Sequence, residues 1–176
     1  MKIAKYLTLL CMILISSSAM ALDIGVGAVG GVAIPIVQED QDNGTMFGFK
    51  GKLSVIPGIV VEPNIYLSQL GDSELGLPGT KVTSFGIDAL IGGQNGKEGI
   101  TVYGIVGLGF YSMTRDLATF EDVTKFGFSA GLGMEIGVIK DIGIDIRGKL
   151  DVINAEGGGS KKSAAILGGL NYYFGL

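Results

Sequence analysis

Hydrophobic residues alternate with small or polar residues along most of the chain beyond its first 21 positions. Segment 142–152 is the clearest case, with one alternate set made of Ile142, Ile144, Ile146, Gly148, Leu150 and Val152. The positions between them carry Gly143, Asp145, Arg147, Lys149 and Asp151. A period of two is typical of a β-strand with two unlike faces, because a helix would mix the two sets.

The same alternation recurs along the chain and predicts eight strands. They span about residues 23–36, 47–56, 59–70, 81–92, 100–111, 126–138, 142–152 and 164–176. Pro63 falls inside the third strand and lacks the N–H that a strand ladder uses. We therefore expect a bulge or an early strand start at Pro63.

The connections between the predicted strands alternate in length. Short ones span residues 57–58, 94–99 and 139–141, and longer ones span 37–46, 71–80, 112–125 and 154–163. Tight turns on one side and longer loops on the other describe an up-and-down barrel. With an even strand count, this is the arrangement of bacterial outer-membrane barrels. The sequence predicts an all-β fold, an eight-stranded antiparallel up-and-down transmembrane β-barrel.

The choice between a membrane barrel and a soluble one depends on which face points outward. In a soluble barrel of the lipocalin kind the apolar face points inward, whereas in a membrane barrel it meets lipid. The second face here is mostly Gly, Ala and Ser, which is too poor in charge for a surface that meets water. Aromatic residues on the apolar face stand where interfacial girdles would lie: Phe47, Phe49, Phe85, Phe110, Phe126, Phe128, Tyr172 and Phe174. We expect the apolar face to meet lipid.

Residues 1–21 have the pattern of a secretory signal peptide. Lys2 and Lys5 precede an apolar stretch from Leu7 to Ile15, and residues 19–21 read Ala-Met-Ala, an A-x-A cleavage site. The apolar stretch is too short for a membrane anchor, which needs about 20 residues. The domain prediction is therefore a signal peptide over 1–21 and an outer-membrane β-barrel domain over 22–176.

Composition narrows the classes of function. The chain has no His, so Ser-His-Asp triads and most zinc and haem sites are excluded. Its one Cys, Cys11, lies in the predicted signal peptide. Without residues 1–21 the net charge is −6, which argues against a nucleic-acid partner. We expect no cofactor and no metal, and the acidic segment 39–44 is interpreted as a solvated loop.

Ten charged residues share the small-residue face, which is the inward face of the predicted barrel. They are Asp23, Lys50, Lys52, Glu62, Asp88, Glu135, Asp145, Arg147, Lys149 and Asp151. An eight-stranded barrel has an interior only just wide enough for side chains. Buried charges there must be paired, so we expect a charge network that plugs the lumen. The turn at 139–141 should bring Glu135 opposite, or one step diagonal to, Arg147 and Lys149. A gate whose ion pairs exchange partners is the alternative.

Three segments carry a resemblance to a known family. Residues 103–111 read YGIVGLGFY, residues 126–135 contain the G-x-G-x-E pattern, and the charged strand 142–152 follows. Together they resemble the small outer-membrane β-barrel domain family of the OmpA/OmpX type, over essentially the whole chain after residue 21. The resemblance implies insertion by the barrel assembly machinery, which reads a terminal aromatic residue. This chain departs from that pattern, because Leu176 is last and Phe174 stands two positions before it.

These observations favour a non-catalytic, monomeric barrel for envelope structure or surface interaction. Its expected partners are outer-membrane lipid and lipopolysaccharide, the latter through Lys161 and Lys162. The alternative is a transporter similar to OmpW-type barrels, which pass small apolar molecules, because Val29, Ala33 and Ile105 could line a small apolar upper cavity. A soluble periplasmic binding barrel is a further alternative. A lipid-modifying barrel enzyme is disfavoured, because such enzymes use a catalytic His.

Overall fold

The alternating segments form β-strands in the computed structural model, which describes residues 23–36, 42–72, 79–93, 99–114, 123–155 and 159–174. The strands are β1 (Ile24–Pro35), β2 (Gly44–Ile56), β3 (Gly58–Gln69), β4 (Lys81–Gly93), β5 (Gly99–Thr114), β6 (Val123–Ile139), β7 (Ile142–Ala155) and β8 (Gly159–Phe174). No helix long and apolar enough to cross a membrane occurs in these ranges.

The sheet closes on itself in chain order. Each strand pairs antiparallel with the next, and β1 pairs antiparallel with β8 from Ile24↔Phe174 to Pro35↔Ser163. Closure satisfies the backbone groups of what would otherwise be two edge strands, which a bilayer requires. The predicted eight-stranded up-and-down barrel is confirmed.

The two alternating sets of side chains lie on opposite faces of the barrel wall, as the sequence predicts. The apolar set points outward, as shown by Phe49 and Leu132, whose relative exposures are 66% and 70%. The aromatic residues predicted for the girdles are all on this outer face: Phe47, Phe49, Phe85, Phe110, Phe126, Phe128, Tyr172 and Phe174. The inward face carries glycine, tyrosine and the buried charges. The barrel is therefore apolar outside and polar inside.

Short turns join the strands on one side of the barrel, here called the turn side, and the opposite side is the loop side. Pro57 connects β2 to β3, and Gly58 adopts φ +82°, a left-handed conformation that glycine tolerates without steric penalty. Lys140 and Asp141 alone connect β6 to β7. These connections agree with the short ones predicted from the sequence.

Strand β2 and the four strands β5 to β8 extend further toward the loop side than predicted. The connection expected over 154–163 is mostly strand, because Asn154↔Ser160 and Ala155↔Gly159 continue the β7–β8 ladder and leave only residues 156–158 between the strands. The connection expected over 112–125 likewise shrinks to 115–122. Backbone pairing continues here through polar residues, so the loss of apolar alternation did not mark the strand ends.

Pro63 is accommodated without the predicted bulge. The β2–β3 pairing runs to Lys50↔Asn64 and resumes at Leu53↔Val61 in the same register. The bulge in this pair lies instead between Ser54 and Ile56, and β3 begins at Gly58, well before Pro63. A local interruption of the ladder is enough to absorb the missing N–H.

The predicted signal peptide, residues 1–21, lies outside the described residues. So do the last two positions of the eighth predicted strand, 175–176, and the acidic segment at 39–41.

Candidate functional site

Nine of the ten charged residues predicted for the lumen are buried on the inward face. They are Lys50, Lys52, Glu62, Asp88, Glu135, Asp145, Arg147, Lys149 and Asp151. Asp23 differs, since it precedes β1 and is only half-buried. Its backbone carbonyl accepts a hydrogen bond from the N–H of Ser54 at 3.0 Å, which places it at the turn-side rim. The nine buried residues form three clusters.

The turn-side cluster consists of Lys52, Glu135, Asn171 and Tyr173. The Lys52 ammonium donates to Glu135 Oε2 and, at 3.0 Å, to the Tyr173 hydroxyl oxygen. Glu135 also accepts hydrogen bonds from the Tyr173 hydroxyl and, at 2.9 Å, from Asn171 Nδ2. One cation and one carboxylate balance each other in this cluster, and the neutral groups supply further hydrogen bonds to the carboxylate.

The central cluster consists of Lys50, Glu62, Tyr103, Asp145 and Arg147. The Arg147 guanidinium binds Glu62 through two hydrogen bonds, Nη1 to Oε1 at 2.5 Å and Nη2 to Oε2 at 3.0 Å. Arg147 and Lys50 both donate to Asp145 Oδ2, and the Tyr103 hydroxyl donates to Asp145 Oδ1. Lys50 Nζ also lies 3.8 Å from Glu62 Oε2. Each cation therefore contacts both carboxylates, which favours a fixed, cross-linked geometry.

The loop-side cluster consists of Asp88, Tyr111, Ser129, Lys149 and Asp151. Lys149 Nζ lies 3.0 Å from Asp88 Oδ2 and 3.7 Å from Asp151 Oδ1. The Ser129 hydroxyl donates to Asp88 at 2.9 Å, and the Tyr111 hydroxyl donates to Asp151 at 2.8 Å. Two carboxylates share one ammonium here.

The expected position of Glu135 across the β6–β7 hairpin is confirmed for Arg147 and wrong for Lys149. Glu135 lies directly opposite Asp145, one step diagonal to Arg147 and two steps from Lys149. Its cation is Lys52, which reaches it across the lumen from β2. Arg147 in turn binds Glu62 of β3. The ion pairs join strands that are not neighbours in the sheet, so the hairpin register alone could not identify them.

Tyrosines are network members that the sequence reasoning missed. Three hydroxyls each donate to a buried carboxylate: Tyr103 to Asp145, Tyr111 to Asp151 and Tyr173 to Glu135. All three tyrosines alternate in step with the charged residues and so lie on the same face. That position in the sequence could have predicted their part in the network. A tyrosine on that face has an apolar ring to fill space and a hydroxyl that needs a partner when buried.

Glycine on the inward face makes room for these long side chains. A Cβ at Gly133 would lie 2.5 Å from the Tyr103 ring, and one at Gly143 would overlap the Glu135 carboxylate. A Cβ at Gly107 would overlap Asp88. The small residues are thus the steric complement of the charged network.

Apolar side chains fill the rest of the lumen in two groups. The loop-side apolar group is Val29, Ala33, Met46, Tyr66, Leu70, Ala165 and Leu167. The turn-side apolar group is Val60, Leu90, Tyr103 and Ile105. Ile105 therefore does not join Val29 and Ala33, as the sequence reasoning expected, because the stagger of the strands places it beside Leu90. The side chains of both groups are buried.

The described residues contain no group of three or more His, Cys, Asp or Glu side chains that could hold a metal ion. Two buried side-chain polar atoms in the same ranges have no hydrogen-bond partner, the Tyr66 hydroxyl oxygen and Asn171 Oδ1.

Solved structures similar to this chain are membrane barrels of the same size. Neisserial surface protein A has a TM-score of 0.67 at 14% identity, covering 88% of this chain and 97% of its own. OprG from Pseudomonas aeruginosa has a TM-score of 0.60 at 15% identity, with 89% and 97% covered. Ail, the attachment invasion locus protein of Yersinia pestis, has a TM-score of 0.53 at 16% identity, with 87% and 97% covered. At these identities the likeness shows the fold.

No curated protein shows significant similarity to the sequence. The family described as "Outer membrane protein beta-barrel domain" matches residues 7–174, nearly the whole chain. With its closed eight-stranded barrel and its apolar outer face, the chain belongs to the outer membrane protein beta-barrel domain family of bacterial outer-membrane barrels.

Proposed function

We propose that this protein is a non-catalytic, monomeric barrel of the bacterial outer membrane that serves envelope structure or surface interaction, with its lumen plugged by the charge network. The observation that carries the proposal is the filling of the lumen. The three charged clusters bridge opposite walls of the barrel, and the two apolar groups occupy space beside them. An interior of this size is normally filled by side chains in an eight-stranded barrel.

The proposed partners follow from the outer surface. Outer-membrane lipid meets the apolar face, and barrel assembly machinery inserts the chain. Lys161 and Lys162 are exposed near the loop side and would meet lipopolysaccharide phosphates. Two structurally similar barrels are named for the cell surface and for attachment and invasion, which makes surface binding the interaction to look for first.

Conductance of the refolded protein in a planar lipid bilayer tests the plugged lumen. The expected result is insertion without steady conductance, because Arg147 and Lys50 hold Glu62 and Asp145 from opposite walls. Insertion is verified independently by protease protection of the same samples. Steady conductance of the inserted wild-type protein would contradict the plug and make transport the leading interpretation.

The second candidate function is transport of small apolar molecules, as in OmpW-type barrels. The observation in its favour is the loop-side apolar group, which gives the outer half of the lumen an apolar lining on β1, β2, β3 and β8. That group is packed, and charged clusters lie beyond it, so a permeant would have to displace both. Uptake of an apolar dye into vesicles that contain the wild-type protein would favour this alternative.

A further inference from the structure

A groove, here called the outer groove, crosses the outer wall of the barrel between two neighbouring rows of outward side chains. Its volume is about 770 Å³, within the usual range of ligand pockets, and its lining is apolar. One wall is formed by Ile142, Tyr172, Val26, Gly51 and Pro63. The other wall is formed by Leu170, Ala28, Phe49, Ile65 and Phe85. The outer groove therefore lies within the apolar face of the protein.

The strand pairing explains why the lining residues form two parallel rows. Val26 pairs with Gly51 across the β1–β2 seam. Ala28, the next outward residue on β1, pairs with Phe49. The row between these two consists of Asn171, Gly27, Lys50 and Asn64. The side chains of this middle row are buried on the inward face, so its backbone forms the floor of the groove.

The groove owes its depth to a difference in size between neighbouring positions. Gly51 has no side chain, whereas Phe49, the next outward residue on β2, stands clear of the wall with a relative exposure of 66%. A Cβ at Gly51 would have Pro63 Cγ as its nearest neighbour, at 3.3 Å. A longer side chain at Gly51 would therefore project into the groove.

The groove climbs from the turn side toward the loop side as it crosses six strands, from β7 through β8, β1, β2 and β3 to β4. Ile142 is the first residue of β7, Val26 is the third of β1, and Phe85 lies eight positions from the turn-side end of β4. At about 4.8 Å between strands, the groove is about 24 Å long. Barrel strands tilt by about 35–45°, so a line across them rises about 15 Å, which is half of a hydrocarbon core about 30 Å thick.

The course of the groove decides what can occupy it. A second barrel is rigid and convex, so it would touch one side of the wall and could not follow a path over six strands. A hydrocarbon chain is flexible, and the two walls are about 7 Å apart, the distance between alternate residues of a strand. Within lipid the attraction comes from van der Waals packing, and an empty groove would lose those contacts.

We propose that the outer groove binds one acyl chain of a phospholipid, which enters at the turn side beside Ile142 and Tyr172. This inference rests on the proposed contact between the apolar face and lipid. Lipopolysaccharide is expected at the loop side, so phospholipid is the lipid that meets the turn-side end of the groove. Tyr172 stands at that end with a relative exposure of 48%, and interfacial tyrosines lie at the level of lipid headgroups.

Native mass spectrometry of the released barrel counts the bound lipid. The protein is inserted into vesicles that contain palmitoyl-oleoyl phosphatidylethanolamine and lipid A, and is then released in a mild detergent. The wild-type barrel is expected to retain one phosphatidylethanolamine. Protease protection of the vesicles verifies insertion separately, so a barrel that inserts but retains no lipid is distinguished from one that does not enter the membrane.

Two variants narrow the groove from its opposite walls. Gly51→Leu fills it from one wall and Ala28→Phe from the other, and each should lower the fraction of barrels that retain a lipid severalfold. If one of them does not fold, the other decides. Gly148→Leu is the matched control, because Gly148 is exposed on β7 outside the groove and a Cβ there would have no neighbour within 4 Å. It should retain lipid as the wild type does.

Four results would overturn the proposal. The first is an inserted wild-type barrel that retains no lipid, and the second is equal retention by the two groove variants and the control. The third is retention of lipid A in place of phosphatidylethanolamine. The fourth is a mass of two protein copies that the groove variants reduce to one, which would assign the groove to a second copy of the chain.

Discussion

At the scale of single residues, Arg147 connects the central cluster. Its guanidinium binds Glu62 through both terminal nitrogens and also contacts Asp145, and its relative exposure is 1%. Replacing it would leave two buried carboxylates with Lys50 as their only remaining cation in the cluster. Removing one partner of a buried ion pair costs about 3–5 kcal/mol.

Arg147→Ala is therefore expected to lower the free energy of unfolding by about 3–5 kcal/mol, measured by urea unfolding in lipid vesicles. Lys140→Ala is the control, because Lys140 is exposed in the β6–β7 turn, and its substitution should change stability by less than about 0.5 kcal/mol. Wild-type stability of Arg147→Ala would show that the central cluster does not hold the barrel together.

Two adjacent tyrosines on β8 lie on opposite faces of the barrel wall. Tyr173 is buried and its hydroxyl contacts Glu135 and Lys52, whereas Tyr172 points outward with a relative exposure of 48%. Tyr173→Phe should lower the free energy of unfolding by about 1.5–3 kcal/mol, the usual range for a hydrogen bond to a charged group. Tyr172→Phe should be close to neutral. Equal effects in the same unfolding assay would contradict the assigned faces.

At the scale of the strands, glycines differ in the space that surrounds them. Gly133 on β6 faces the Tyr103 ring, which is held by its hydrogen bond to Asp145 and cannot easily move. Gly168 on β8 faces outward, and a Cβ there would have no neighbour within 4 Å. The same substitution thus meets opposite environments on the two strands.

Gly133→Ala is expected to destabilise the barrel by about 1–3 kcal/mol through overpacking. Gly168→Ala is expected to stabilise it by about 0.4–1 kcal/mol, because it restricts only the unfolded chain. Thermal or urea unfolding of the two variants side by side measures the difference. A destabilised Gly168→Ala together with a neutral Gly133→Ala would reverse the assignment of inner and outer faces.

The faces of the strands could be predicted from the sequence, but the ends of the strands could not. Alternation is a local property, so the inward parity of Lys50, Arg147 and Asp151 could be read directly from the sequence. Strand ends could not, because the β7–β8 ladder continues through polar residues such as Asn154 and Ser160. Pairing stabilises these positions without leaving an apolar pattern.

At the scale of the whole molecule, the ion-pair partners depend on closure of the barrel. Lys50 and Asp145 are 95 residues apart, and Lys52 and Glu135 are 83 apart. They meet because strand tilt and stagger bring opposite walls together across a narrow lumen. A hairpin register predicts only contacts between adjacent strands. It therefore could not identify Lys52 as the partner of Glu135.

In the whole molecule, the apolar face lies in lipid and the charges lie inside the barrel. Leu132 is midway along β6, and Val138 lies near the turn side of the same strand, both facing outward. A charge on the lipid face is costly at the bilayer midplane and much less so near the interface. The two positions therefore provide a test on one strand.

The unfolding free energies of Leu132→Lys and Val138→Lys in lipid vesicles give the sharpest test of this arrangement. The expected loss of unfolding free energy is about 2–4 kcal/mol for Leu132→Lys and about 0–1 kcal/mol for Val138→Lys. Equal, near-zero effects at both positions would mean that the outer face of β6 meets water and does not lie in lipid.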